Sequence, residues 1–332
     1  MFYSQIRRGG PTGTTATFYY PEPNHHIVSV TGSFAGWSLP GVPMKRGPSG
    51  WHVEVPLPGP PHGDTEYKFV ADDQWLCDPV VLDRASDGRG GFNSVLGGPG
   101  RGASLHLKFR APALDGAERG YAIYLPPSYA YGNVERQFPV LYLLHGALDW
   151  ELTWLERGGL RAQCDELRAS GAIGDFIIVM PRESGDLYRG DGRVVDYVSR
   201  DVVGHVDYEF RTEPKARGID GLSTGGFTSL QLGALEPRIW RSVGSMSGSY
   251  DERTFAAIRE RAVRGGRRRY LVSCGLGEPC YALCRSVFDE LERLGAEPQW
   301  AEVEGGHDWP TWSALLGVHL KFHSATFSEN QS

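Results

Sequence analysis

Near residue 100 the spacing of apolar residues changes, and the change divides the chain. Before it, apolar and polar residues alternate in short runs, "HHIVSVTGSF", "GWHVEVPLPG" and "TEYKFVADDQW", broken by Gly, Pro, Asn or Asp. A period of two turns one face of each run inward, and turn residues about every ten positions fold the runs into an antiparallel β-sandwich. After the change, continuous apolar runs of strand length, "FPVLYLLHG", "DFIIVMP" and "YLVSCG", alternate with longer segments. In "LRAQCDELRASG", "YVSRDVVGHVDYEF", "FTSLQLGALEP" and "YALCRSVFDELERLG" the apolar residues fall three and four apart, as on one side of a helix. A strand apolar on both faces needs cover on both faces, so this half predicts a mostly parallel sheet between helical layers. The expected organisation is a sandwich over 1–100, closing in a glycine-rich turn and linker at about 84–104, an α/β domain over 105–325, and a tail over 326–332.

Composition narrows the function classes. The chain has 332 residues and a formal charge of −6, with no broad basic surface, which argues against nucleic acid as a partner. The one basic run, "RGGRRRY" at 264–270, reads as a solvated loop. The start, "MFYSQIRRGG", has no apolar stretch of the kind a secretory leader carries, and no run reaches membrane-spanning length. Five cysteines without paired zinc-type spacings read as free thiols. Together these predict a cytoplasmic protein with no membrane partner and no metal site. Oligomeric state is not legible in the chain.

The chemistry concentrates around "RGIDGLSTGGF" at 217–227. A serine on a sharp strand-to-helix turn needs small neighbours two before and two after it, and Gly221 and Gly225 flank Ser223 in that way. A serine hydroxyl attacks only when a base takes its proton. Of the ten histidines, His307 in "VEGGHDWPTW" alone joins a glycine pair, a strand end and the correct place in chain order. His319 and His323 fall on a helical segment and are expected to be surface or packing residues. The acid that orients the imidazole should follow the preceding strand, where "YLVSCGLGEPCY" offers Glu278; Asp308 and Asp251 are the alternatives. Oxyanion donors are expected from the backbone N–H of Thr224 and of Ala147 or Leu148. Among the tryptophans near this constellation, Trp309 is expected to line the substrate pocket.

These parts, in order, make the region from about 105 to 325 resemble the esterase D-like branch of the α/β-hydrolases, which includes feruloyl and acetyl-xylan esterases, enterochelin esterases and mycolyltransferases. The residues that carry the resemblance are "FPVLYLLHG", "FIIVMP", "GLSTGGF", "SVGSMSGSY" and "GGHDWPTW", and "GLGEP" looks like the corresponding enterochelin esterase stretch. The resemblance implies a Ser-His-acid ester hydrolase working through an acyl-enzyme, with no cofactor. Two positions depart from many relatives: Thr224 replaces a methionine after the nucleophile, and Ser313 replaces an arginine.

The first half, over roughly 27–96, resembles the glycogen-binding module of the AMP-activated kinase β subunit, an Ig-like or E-set sandwich. That resemblance implies a sugar platform at Trp37, Lys68, Trp75 and Asn93, or a module that only shapes the cleft. Trp51 belongs to its core. The expected substrate is a small-molecule or oligosaccharide ester: a feruloyl or acetyl ester of a carbohydrate, or a siderophore-type ester. The alternatives are a non-catalytic glycan-binding protein on a hydrolase scaffold, and an acyltransferase.

Overall fold

The alternating runs of the first half form strands, as their period requires. In the computed structural model, which describes residues 3–9, 13–57, 63–183, 192–261 and 268–329, the chain divides into two units. One comprises Met1–Leu107 and Tyr124–Arg136, the other Lys108–Ile123 and Gln137–Ser332. Most of the basic run at 264–270 lies outside the described residues.

The first unit holds β1 (Gln5–Gly9), β2 (Gly13–Tyr20), β3 (Val28–Gly32), β4 (Val42–Pro43), β5 (Lys45–Gly47), β6 (Gly50–Leu57), β7 (Thr65–Ala71), β8 (Gln74–Leu76), β9 (Arg84–Ser86) and β10 (Phe92–Leu96). They build one sheet ordered β1-β2-β6-β5 and another ordered β4-β3-β7-β10-β9, with β8 paired to β7. Tyr67, Phe69 and Ala71 of β7 are wholly buried, and Phe18 and Tyr20 of β2 meet Tyr67 and Phe69 at ring separations of 4.8 and 4.9 Å. Trp51 is buried as expected. The stretch from 84, expected as turn and linker, carries β9 and β10 instead: Ser94, Val95 and Leu96 are buried, and β10 pairs with both β7 and β9.

The remaining elements are β11 (Ala103–Ala111), β12 (Ala117–Leu125), α1 (Pro127–Tyr131), β13 (Phe138–Leu144), α2 (Thr153–Glu156), α3 (Leu160–Ala169), β14 (Ile177–Pro181), α4 (Arg193–Asp196), a π-helical turn (Tyr197–Val202), α5 (Val203–Glu209), β15 (Thr212–Gly221), α6 (Thr224–Leu235), β16 (Ser242–Met246), α7 (Glu252–Arg261), β17 (Arg269–Gly275), α8 (Tyr281–Arg293), β18 (Gln299–Val303) and α9 (Trp309–Ser328). The strands from β11 to β18 form one eight-stranded sheet ordered β11-β12-β14-β13-β15-β16-β17-β18. Every residue of β13, β14 and β16 is buried, which is why these strands read as unbroken apolar runs.

The pairings from β14 through β18 are all parallel, so the loops after β13, β15, β17 and β18 gather at one edge. Strand order reverses beside β13, the position where open α/β sheets place their ligands. The terminal helix continues past 325, with Thr326 and Phe327 buried in its last turn, so 326–328 are helix and not tail. Among the described residues no helix is long and apolar enough to cross a membrane.

Candidate active site

β15 ends at Gly221 and α6 begins at Thr224, leaving Ser223 on the turn with φ 52° and ψ −115°. That conformation is strained for a residue with a Cβ. It is fixed from both sides: the Ser223 N–H donates to the Met246 carbonyl at 2.9 Å, and its own carbonyl accepts from Phe227 N–H at 3.0 Å. The small residues are a steric necessity. A Cβ on Gly221 would stand 2.5 Å from the Gly225 carbonyl carbon, and one on Gly225 would stand 2.4 Å from the His145 carbonyl oxygen. The helix therefore starts hard against the end of β13, and its first unbonded N–H groups point toward the turn.

Two loops bring the partners. Asp308 caps α9, accepting from Thr311 N–H at 3.1 Å and Thr311 Oγ1 at 2.8 Å, and so fixes the segment that presents His307. His307 Nε2 lies 3.0 Å from Ser223 Oγ, and its Nδ1 lies 2.6 Å from Glu278 Oε2. With the Nδ1 proton donated to Glu278, Nε2 is left to accept from the serine hydroxyl. The His307 ring stands edge-on to Trp312, with centroids 4.9 Å apart.

Glu278 is the buried member, its side chain wholly shielded from solvent. Donors surround both of its oxygens, as a buried carboxyl group requires. Oε1 accepts from Ser247 Oγ at 2.5 Å and Gly275 N–H at 2.8 Å; Oε2 accepts from Cys280 Sγ at 3.3 Å as well as from His307. The neighbouring Cys280 sulfur first, and the Glu278 carboxyl second, lift the His307 pKa from 6.5 to about 9 against the opposing effect of burial.

The alternative acids have other work: Asp308 is the α9 cap, and Asp251 accepts from Thr254 N–H at the head of α7. The loop after β13 passes beside the serine, since a Cβ on Gly146 would lie 3.4 Å from Ser223 Cβ. Ala147 and Leu148 follow, both exposed, with Leu148 at φ 68°. His145 pins this loop: it is buried, Nδ1 pairs with the Gly146 carbonyl at 2.8 Å, and Nε2 accepts from Glu183 N–H at 3.0 Å.

Trp309, expected in the pocket lining, is largely enclosed. It is 6% exposed, its ring held edge-on by Trp154 at 5.2 Å and Trp312 at 5.5 Å, with the Arg157 guanidinium 5.6 Å from its centroid. It belongs to the framework beneath the histidine loop, in the first turn of a mostly buried helix. Ser313 bonds the Gly158 carbonyl at 3.0 Å and so ties α9 to the α2–α3 loop.

In the first unit, Trp75 is 43% exposed and pairs with Val70 of β7. Lys68 lies two residues along the same strand face and is bound to Asp87 at 3.0 Å. Asn93 is nearly buried and donates to Glu66 Oε2 at 2.7 Å. Trp37, half-buried at φ 59°, lies on the turn that follows β3.

Several residues at the site escaped the sequence reading. Ser247, at φ 52°, joins Trp312 Nε1 (3.2 Å) to Glu278, and extends the hydrogen-bonded line behind His307. It lies in "SVGSMSGSY", a stretch noticed without a role. Of the two expectations for His319 and His323, surface or packing, the second holds: both are buried, and they bond Asp220 Oδ2 at 2.7 and 2.8 Å. Ser273 and Ser242 take the other ring nitrogens at 2.7 Å each. Asp220 also accepts from Gly221 N–H at 2.7 Å, so this network braces the strand immediately before the serine turn. Burial pushes the Asp220 carboxyl up, but the His319 charge and the two imidazole hydrogen bonds outweigh it and hold the pKa at about 2.

Residues 112–323 match the family model described as "Putative esterase", and residues 15–97 match the glycogen recognition site of AMP-activated protein kinase. An endo-1,4-β-xylanase/feruloyl esterase of Xylanibacter ruminicola is 28% identical over 209 residues, covering 58% of this chain. The chain spans only 28% of that relative's length. A ferulic acid esterase from Anaeromyces mucronatus superposes with a TM-score of 0.58 at 20% identity, over 69% of this chain and 92% of the other. The enterobactin esterase of Shigella flexneri gives 0.55 at 16% identity, over 97% of this chain and 96% of its own. The eight-stranded order is thus that of the α/β-hydrolases, preceded by an all-β sandwich of the glycogen-recognition type. A match over well more than half its length places the chain in this esterase family.

Proposed function

We propose that the protein hydrolyses its ester through an acyl-enzyme on Ser223. The observation that carries this is the unbroken line Ser223–His307–Glu278, with separations of 3.0 and 2.6 Å. Ser223 Oγ attacks the carbonyl carbon while His307 Nε2 takes its proton, and Glu278 stabilises the imidazolium that forms. The carbonyl oxygen becomes an oxyanion, met by the N–H of Thr224 and of Ala147 or Leu148. His307 then gives its proton to the departing alkoxide, and the C–O bond breaks. Water attacks the acyl-enzyme by the same route in reverse, releasing the acid and restoring the serine.

The substrate we favour is a feruloyl or acetyl ester on a carbohydrate. Supporting it are the feruloyl esterase relative and the glycogen-recognition module, whose exposed Trp75 offers a flat apolar face to a sugar ring. A siderophore-type ester is the second reading, favoured by the likeness to the enterobactin esterase over 97% of the chain, including the first unit. A cytoplasmic setting belongs to the proposal, supported by five cysteines that all carry free thiols. The deciding experiment compares kcat/KM on methyl ferulate, a feruloylated arabino-oligosaccharide, p-nitrophenyl acetate and enterobactin. Preference for the feruloylated sugar by tenfold or more supports the first reading; preference for enterobactin replaces it. Free acid as sole product in the presence of excess sugar acceptor speaks for hydrolysis over acyl transfer.

A further inference from the structure

Cys274, Cys280 and Cys284 converge behind Glu278. Cys274 is the penultimate residue of β17, Cys280 is the N-cap of α8, and Cys284 lies one turn along that helix. Their sulfurs all lie within 4.8 Å of one another, with Cys274 and Cys280 3.8 Å apart. Residues four apart share a helix face, so the first turn of α8 offers two thiols to the third at the strand end. Cys274 and Cys284 are wholly buried, while Cys280 is half-buried and opens the cluster to solvent.

Zinc holds thiolate sulfur at about 2.3 Å, which sets neighbouring sulfurs of a tetrahedron about 3.8 Å apart. The Cys274–Cys280 separation already has that value. We propose that the three thiols form a binding site for a thiophilic divalent ion, zinc, with its fourth position open toward the Cys280 side. Each thiol surrenders its proton to solvent as its sulfur coordinates, so binding releases three protons and makes three metal–sulfur bonds. The ion joins the end of β17 to the start of α8 and closes the loop that carries Glu278, without touching the serine. A second group, Glu278, Cys280 and His307, is equally tight, but His307 and Glu278 are already bonded to each other at 2.6 Å. The all-sulfur group also suits a soft ion better than a mixed set does.

The test uses the reduced full-length protein, zinc chloride and, as a spectroscopic probe, cadmium chloride. The expected results are one zinc retained per chain after dialysis, alkylation of Cys280 slowed at least tenfold, and a thiolate-to-cadmium charge-transfer band of three-sulfur intensity. Cys274→Ser and Cys284→Ser should each abolish the retained zinc and the band. Wild-type protein that retains no zinc overturns the proposal. So does zinc that persists in the double variant, which would place the ion on Glu278, Cys280 and His307. If the variants fail to fold, the wild-type band intensity and Cys280 protection decide alone. None of these readouts uses ester turnover, so failure here is separate from failure of the Ser223 mechanism.

Discussion

Replacing Glu278 by glutamine keeps the shape of the side chain and changes only what its two outer atoms can do. In the native site both oxygens accept: Oε1 from Ser247 Oγ and Gly275 N–H, Oε2 from His307 and Cys280. An amide has one oxygen and one NH2, so its nitrogen must face a donor whichever way it turns. Toward Gly275 the conflict has no remedy, because a backbone N–H cannot reverse. Toward His307 it has one: the imidazole moves its proton to Nε2 and lets Nδ1 accept. That tautomer points an N–H at Ser223 Oγ and can no longer take the serine proton. The expected loss in kcat is about 10⁴-fold, as for the amide substitution in serine proteases, which is roughly 5 kcal/mol of transition-state stabilisation. Stability should fall less, by about 1–3 kcal/mol, since one buried bond is lost or weakened while the volume is kept. Steady-state hydrolysis of p-nitrophenyl acetate gives the first quantity and urea unfolding the second. A variant of native stability whose kcat drops less than tenfold would refute the role given to Glu278.

Three further outcomes follow from the same geometry. Gly221→Ala puts a Cβ 2.5 Å from backbone at Gly225, so the turn must open; the melting temperature and kcat should fall together, with about 1–3 kcal/mol lost in unfolding. With a chelator present, kcat/KM should rise with pH along an acid limb displaced well above 6.5 toward 9, because His307 must shed its proton to act as base; Cys280→Ala, which removes the first cause of the shift, should move that limb down. An acid limb at or below 6.5 in the native enzyme counts against this. In the first unit, Trp75→Ala with Trp37→Ala should abolish maltooligosaccharide retention in affinity electrophoresis while leaving p-nitrophenyl acetate turnover within twofold, and unchanged retention removes the sugar platform from the account.

Much of this was legible because the signals are local. A strand apolar on every residue, such as β13, is distinctive, and so is a serine between glycines at a strand-to-helix junction. His307 and Glu278 were accessible because chain order fixes which loops reach the sheet edge. Packing relations were not legible. The half-burial of Lys68 against Asp87, the enclosure of Trp309 by Trp154 and Trp312, and the meeting of His319 and His323 on Asp220 depend on residues distant in sequence. β9 and β10 were obscured by flanking glycines, which mask a short alternation that only pairing with β7 makes definite. The cysteine cluster was invisible for a similar reason: Cys280 and Cys284 are four apart in sequence, but Cys274 joins them only through the turn that carries Glu278.

The claim on which the rest depends is that Ser223 carries the acyl group. Rapid quench of the enzyme with a slowly hydrolysed aryl ester, followed by intact-protein and peptide mass analysis, tests it directly. The account predicts one acyl adduct per chain, on the peptide that contains Ser223, and neither adduct nor turnover in Ser223→Ala. Turnover that persists in that variant, or an adduct on another residue, would contradict it.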